Sequence, residues 1–155
     1  MPAHSNILLH LTLQPAPGSS LPAHDIGPEL AAYVRALLDN LDASPIVIGA
    51  TSTELTIVAP LPLCMSTAHL VFCIKRGTER WLTQQCTSQR VFLWAPGFRA
   101  LSVDRASLAA LIRGLQHRAT YCEPPSFDAQ ASGPQAHTDF DHPPLSKSSV
   151  QPATN

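Results

Sequence analysis

The chain has 155 residues, of which 45% are hydrophobic and 14% are charged, so it can bury a sizeable core. No apolar run reaches the roughly 20 residues of a membrane span, and the N-terminus lacks the pattern of a secretory signal, so we expect a cytoplasmic protein. The net charge of −1 argues against a general nucleic-acid binder. The four cysteines lack the close spacing of zinc or redox pairs, and we expect reduced thiols.

Charge is distributed unevenly along the chain. Residues 1–74 carry a net charge of −4, residues 75–118 carry +6, and residues 119–155 carry −3. The basic middle segment is mostly arginine, whose guanidinium group binds phosphate oxygens in pairs. This segment fits phosphate contact, and it equally fits a solvated helix face.

The first half of the chain predicts a strand, a helix and two strands. Residues 7–13 are apolar and β-branched, which favours a strand. A helix is expected to begin near Pro28, since proline suits the first helical turn, and apolar residues then recur at helical spacing. Residues 44–50 and 53–59 form two further predicted strands, and the short link between them predicts an antiparallel hairpin.

The second half predicts two helices separated by extended chain. Ser66 can cap the first of them and Asp104 the second. Within the helix after Ser66, Gly77 permits a close approach of a neighbour. Residues 90–103 offer two short extended segments interrupted by a Pro-Gly pair. From about Gln130 hardly an aliphatic residue occurs, which predicts disorder.

The order of the first six elements is that of a split βαβ unit. It predicts an α+β, ferredoxin-like antiparallel sheet with helices on one face, followed by a third helix. On the helix after Ser66, the apolar stripe leaves Lys75, Arg76 and Glu79 pointing away from the core. We expect one domain at residues 5–128 and a disordered tail at 129–155.

Five stretches together resemble the IS200-like transposases, including the single-tyrosine transposases associated with bacterial repeat (REP) elements. They are LLHLTL, LDNLDASPIVIGATSTELTIVAPLP, STAHLVFCIKRGTERWL, WAPGFRALSV and EPPSFDAQ, between about Ile7 and Gln130. The most specific is WAPGFRALSV, which resembles the family's tryptophan, Gly-aromatic and Ala-aromatic-Ser-Val signature before the last helix. The resemblance implies a ferredoxin-like sheet, often paired in a homodimer. It also implies recognition of DNA hairpins, and cutting and rejoining of single strands in DNA transposition and recombination.

The resemblance also implies a chemistry that this chain has lost. In the family, a His-hydrophobic-His strand holds Mg²⁺ or Mn²⁺, a tyrosine on the last helix attacks the DNA, and a glutamine one turn later completes the metal site. Carried over, the two histidine positions fall on Glu54 and Thr56, the tyrosine position on Gly114, and the glutamine position on Arg118. We therefore expect no intact catalytic residue and no bound metal. A salt bridge between Glu54 and Arg118 is a specific expectation.

Three functions follow from this reading. The first is a DNA-binding pseudoenzyme of the transposase family, with single-stranded or hairpin DNA as partner. The candidate phosphate contacts are Lys75, Arg76, Arg80, Arg99, Arg113 and Arg118. The second is an active transposase with an atypical site, in which Tyr121 would be the nucleophile. The third is a folded relic that binds no DNA. We expect His10 to be structural, and Trp81 and Trp94 to pack in the core rather than to stack on bases.

Overall fold

The computed structural model describes residues 7–85 and 91–123, and within them the chain forms five strands and three helices. In chain order these are β1 (Leu8–Leu13), α1 (Ala23–Asn40), β2 (Val47–Ala50), β3 (Leu55–Pro60), α2 (Thr67–Gln85), β4 (Arg99–Val103), α3 (Arg105–Arg118) and β5 (Tyr121–Cys122). The strands pair antiparallel in one sheet of order β4-β1-β3-β2-β5. The predicted α+β ferredoxin-like fold is confirmed, and β5 is an addition that the sequence did not predict.

Part of the prediction lies outside the described residues. This holds for the end of the domain at residue 128, the disorder of residues 129–155, and the EPPSFDAQ stretch beyond its first residue, Glu123.

One face of the sheet is buried against α1 and α2. Since side chains of a strand alternate between its two faces, Leu11 of β1 and Leu55 and Ile57 of β3 point to the same side. All three have no exposed surface, and they share one core with Val34 of α1 and Ile74 of α2. Each such side chain stabilises the fold by roughly 1.5–3 kcal/mol relative to an exposed position. Two helices on one face is the predicted arrangement.

The opposite face is covered by α3, the helix that follows the split βαβ unit. A second core forms on this face from Leu108, Ile112 and Leu115 of α3 and Val47 and Val58 of the sheet. Both valines are buried, and along their strands they alternate with residues whose side chains point into the first core. The helix begins where the sequence predicts, because the Asp104 carboxylate accepts a hydrogen bond of 2.8 Å from the Ser107 N–H.

Helix α1 begins earlier than predicted. It starts at Ala23 and is kinked at Ile26, whose backbone angles (φ −126°, ψ 24°) are not helical. Pro28 stands at the start of the segment after the kink, where its missing N–H costs no hydrogen bond. The proline therefore marks the beginning of the main helix, preceded by one extra turn.

The two helices of the first core meet closely at Gly77. The Tyr33 hydroxyl donates a hydrogen bond of 3.1 Å to the Gly77 carbonyl, and the Tyr33 and Trp81 rings stack with centroids 5.3 Å apart. This confirms the predicted close approach. Trp94 is 6% exposed and packs in the core as predicted, whereas Trp81 is half-buried beside Tyr33.

Strand β5 is held at the sheet edge by a half-buried ion pair. Arg35 of α1 binds the Glu123 carboxylate through Nε and Nη2, and its Nη1 donates to the Pro45 carbonyl at 3.1 Å. The pair joins the segment after β5 to α1, so it fixes the course of the chain after α3. None of the helices in the described part of the chain is both long and apolar enough to cross a membrane.

Two glycines give a matched test of this packing. A Cβ built at Gly27 would lie 2.7 Å from the Tyr121 Cβ, an atom that cannot rotate away. We expect Gly27→Ala to lower the free energy of unfolding by about 1–3 kcal/mol. A Cβ at Gly114 would meet only the Arg118 Nη2, at 4.0 Å, so Gly114→Ala should raise it by up to about 1 kcal/mol. Urea unfolding measures both, and equal effects of the two substitutions would contradict this packing.

Candidate nucleic-acid interface

The face of the sheet under α3 carries a row of polar residues beside the second core. Thr12 of β1 is paired with Thr56 of β3 on one side and with Arg99 of β4 on the other. The alternation of side chains places all three on the face that carries Val58. Thr12 and Thr56 are 5% and 4% exposed.

Glu54 lies in the turn before β3, not within the predicted strand. The Thr51 hydroxyl accepts hydrogen bonds of 3.1 Å from the N–H groups of Thr53 and Glu54, and the Thr51 N–H donates to the Glu54 carbonyl at 2.9 Å. These bonds fix the backbone of Glu54 just outside the sheet, because a threonine side chain can close a turn on its own backbone. The carboxylate thus stands at the margin of the polar row.

Three side chains from different parts of the fold act electrostatically on His10 of β1. Burial lowers the pKa of the His10 imidazole most, the positive charges of Arg99 and then Arg118 lower it further, and the carboxylate of Glu54 raises it. These charges lie on β4, on α3 and in the turn before β3. We call His10, Glu54, Arg99 and Arg118 the His10 cluster. It contains two guanidinium groups, one carboxyl side chain and an imidazole whose pKa is lowered.

The expected salt bridge between Glu54 and Arg118 is not formed. In residues 7–85 and 91–123 the ion pairs are His24 with Asp25 and Arg35 with Glu123. Arg118 instead folds back on its own helix, where its Nε donates a hydrogen bond of 3.2 Å to the Gly114 carbonyl. The Gly114 carbonyl lies one turn back on the same helix, so a bend of the Arg118 side chain along α3 brings its Nε within reach.

The residues at the family's metal positions do not fit a divalent cation. Glu54 supplies one carboxylate, and Thr56 supplies a hydroxyl, which is a weak ligand for a hard ion. Arg99 and Arg118 add positive charge to the same region. In the described part of the chain, no group of three or more His, Cys, Asp or Glu side chains could hold a metal ion.

Tyr121 lies on the wrong face of the sheet for a nucleophile near Thr56. It pairs with Ala50 and packs in the first core, against Gly27 of α1. Burial raises the pKa of its phenol, as do the neighbouring charges of Glu123, Cys122 and Glu29. A phenol with a raised pKa ionises less readily to the nucleophilic phenolate. Both the position and the acidity of Tyr121 therefore argue against its role as the nucleophile of an active transposase.

The six predicted phosphate contacts do not form one surface. Lys75, Arg76 and Arg80 lie on α2, which packs on the other face of the sheet from α3. Arg99 and Arg118 belong to the His10 cluster. Arg113 is exposed on α3, about 140° around the helix from Arg118.

The Lys75 ammonium is hydrogen-bonded to other parts of the fold, contrary to the prediction that the side chain points away from the core. Its ammonium donates hydrogen bonds of 2.8 and 2.6 Å to the carbonyls of Ala95 and Gly97. Glu79, one turn later, accepts a hydrogen bond of 3.0 Å from the Trp94 backbone N–H. Thr78 accepts one of 2.8 Å from the Trp94 indole N–H. One side of α2 therefore holds the segment 94–97 before β4. The spacing of Lys75, Thr78 and Glu79 could have suggested a shared role, but not its target.

The electrostatics of the His10 cluster can be measured by NMR titration. We expect the pKa of His10 to lie below its ordinary value of about 6.5, and Arg99→Ala or Arg118→Ala to raise it by removing a positive neighbour. Arg113→Ala is the matched control and should leave it in place. Because a histidine with a lowered pKa takes up its proton more readily when unfolded, its contribution to stability should be lost as pH falls below about 6.5. An unchanged His10 pKa in both cluster variants would contradict this assignment.

Comparison with solved structures finds chains of similar fold. A proposed transposase from Deinococcus radiodurans R1 has a TM-score of 0.57 and 10% sequence identity, covering 77% of this chain and 96% of that chain. A REP-associated tyrosine transposase bound to a REP hairpin has a TM-score of 0.53 and 10% identity, covering 76% and 72%. A bacterial tRNA(His) guanylyltransferase (Thg1)-like protein in complex with GTP has a TM-score of 0.50 and 10% identity, covering 77% and 64%.

No protein-family model and no curated protein matches the sequence. At 10% identity the structural likeness concerns the fold, and one fold supports different chemistries. The two transposase structures agree with the resemblance found in the sequence. The chain therefore has an IS200-like transposase-type fold.

Proposed function

We propose that this protein binds single-stranded or hairpin DNA at the His10 cluster and does not cut it. The observation that carries the proposal is the convergence of Arg99 and Arg118, from β4 and α3, on one histidine of β1. Residues far apart in the sequence thus concentrate positive charge on the face where the resemblance locates DNA chemistry. Guanidinium groups suit phosphate oxygens because each presents two parallel donors.

The electrostatic state of His10 supports an anion as ligand. Its imidazole resists protonation because burial and two arginines disfavour a further positive charge. A phosphate placed between the arginines would reverse that balance, so it would raise the pKa of His10 and gain a third donor. The Glu54 carboxylate, at the margin of the polar row, would repel a bound phosphate. A phosphate would therefore lie closer to Arg99 and Arg118 than to Glu54.

The absence of cutting is supported by what stands at the catalytic positions. Gly114 has no side chain to attack DNA, and Tyr121 lies across the sheet in the first core. Glu54 and Thr56 give a poor set of ligands for Mg²⁺ or Mn²⁺. The folded relic without DNA binding is the main alternative, and the binding experiment below separates the two.

The binding proposal predicts a salt dependence. Affinity for a fluorescent REP-like DNA hairpin with a single-stranded foot, measured by anisotropy, should fall steeply as salt rises, because bound phosphates release counterions. Arg99→Ala and Arg118→Ala should each weaken binding and reduce the slope of log affinity against log salt by about 0.7–0.9. The matched control is Arg80→Ala, which removes an exposed arginine from α2.

The same samples test cutting. With Mg²⁺ or Mn²⁺ added, we expect neither a nicked strand nor a covalent protein–DNA adduct, from the natural chain or from Tyr121→Phe. An adduct that Tyr121→Phe abolishes would establish the active transposase instead. No affinity at low salt would support the folded relic, and an affinity that does not change with salt would contradict the proposed phosphate contacts.

We also propose that the protein acts in the cytoplasm and forms a homodimer through β4. The strand is at the sheet edge, where unpaired backbone groups can pair with a second strand, and Leu101 on it is 52% exposed. Light scattering should give twice the mass of the chain, and Leu101→Lys should shift the mass toward the monomer. Phe72→Ala, an exposed apolar residue of α2, is the control. A monomeric natural chain at high concentration would rule the dimer out.

A further inference from the structure

A cavity of about 290 Å³ opens beside the His10 cluster, where β1 ends. It lies between Thr12 and Gln14 on one side and the segment 95–99 on the other. Ligand pockets in proteins commonly span roughly 300–1,000 Å³, so this one suits a ligand at the small end of the range. We call it the 95–99 pocket. It touches the His10 cluster only through Arg99.

The wall formed by Thr12 contains a buried hydroxyl without a partner. Thr12 is 5% exposed, and its hydroxyl has no hydrogen bond to any group in residues 7–85 or 91–123. Buried side-chain polar atoms in folded proteins are nearly always hydrogen-bonded, to the protein or to something bound. Because Thr12 lines the cavity, its unpartnered hydroxyl supports a polar ligand there.

The remaining walls combine a ring, a charge and an amide. Phe98 is 43% exposed, unusually open for an aromatic side chain, and Arg99 follows it directly. Gln14 is exposed on the opposite wall and offers both a donor and an acceptor. An aromatic face, a guanidinium group and an amide match the three parts of a nucleotide: a base face, a phosphate and a hydrogen-bonding base edge.

The pocket is rigidly built. The Ala95 N–H donates a hydrogen bond of 2.8 Å to the Gln14 carbonyl. Lys75 of α2 donates hydrogen bonds to the carbonyls of Ala95 and Gly97. Gly97 has a φ of +82°, a conformation that favours glycine, and this turns the chain toward Phe98. The backbone beside both side chains is thus fixed before a ligand arrives, which lowers the entropy that binding must overcome.

We propose that the 95–99 pocket takes one unpaired nucleotide of a DNA single strand. Its base stacks on Phe98 and contacts Gln14 and Thr12 with its edge, while its phosphate lies at Arg99 and leads the strand toward the His10 cluster. The inference rests on the proposed function and adds a distinct expectation, that single-stranded DNA is preferred over blunt duplex. A paired base cannot enter the pocket, because both of its faces are stacked and its edge is occupied.

The test uses the full chain with a fluorescein-labelled thymidine oligonucleotide of about twelve nucleotides, and a blunt duplex of equal length. Phe98→Ala should weaken binding of the single strand by about tenfold, the effect of losing one stacked base. Gln14→Ala should also weaken it, because the base edge loses a hydrogen-bonding partner, and neither change should alter duplex binding. Phe72→Ala, which removes an exposed ring from α2, should leave both affinities unchanged.

Thr12 provides the sharper readout. Thr12→Val replaces a hydroxyl that has no partner by a methyl group of similar size, so it should weaken the single strand's binding without lowering the urea midpoint of the free protein. Thr12→Ser keeps the hydroxyl and should retain binding. If Phe98→Ala, Gln14→Ala and Thr12→Val all bound the single strand as tightly as the natural chain does, the proposed nucleotide pocket would be wrong and the proposed function would stand. A natural chain that binds only the duplex would do the same, and one that binds neither DNA would overturn the proposed function and the pocket together.

Discussion

The two-residue alternation of side chains in β1 and β3 is the constraint on which this structure depends. Helices pack on both faces of the sheet. Each strand must therefore supply apolar residues to the first core at every second position, and the positions between them face α3 and the polar row. Leu11 and Ile57 are completely buried in the first core. The intervening positions are shared between the α3 contact, through Val58, and the polar row at Thr12 and Thr56. A shift of one residue in the pairing of these strands would turn the polar row toward the first core and disrupt both cores at once.

This arrangement explains how the scaffold can persist without the catalytic groups of the family it resembles. The core is built from the α1–α2 face, and none of Glu54, Thr56, Gly114 and Arg118 contributes to it. Replacing a metal ligand or a nucleophile therefore costs the fold little. The positive charge of Arg99 and Arg118 lies on the other face, as the proposed binding of phosphate requires. The segment 94–97 is held by Lys75 and Glu79 of α2, so the opposite layer of the protein supports the proposed nucleotide pocket.

Prediction succeeded where neighbours in the sequence decide the outcome. The Asp104 cap, the hairpin of β2 and β3, and the close approach at Gly77 all depend on a few consecutive residues or on one helical spacing. It failed where a distant group decides. Lys75 looks like a solvated cation on its own helix, yet its ammonium is held by carbonyls twenty and twenty-two residues away. Arg118 was expected to pair with Glu54, but its Nε donates to the Gly114 carbonyl one turn back on its own helix.

The sequence by itself determined the order of the main elements, the two-layer pattern of the strands and which residues stand where the resemblance places the family's catalytic side chains, because periodicity and residue identity are local properties. Only the tertiary structure decided that α3 covers the second face, that Tyr121 lies across the sheet in the first core, and that Arg99 and Arg118 surround His10. It also formed the cavity between Thr12 and the segment 95–99. These features join residues tens of positions apart, and their geometry is fixed by the packing of whole helices on the sheet rather than by any short stretch of chain.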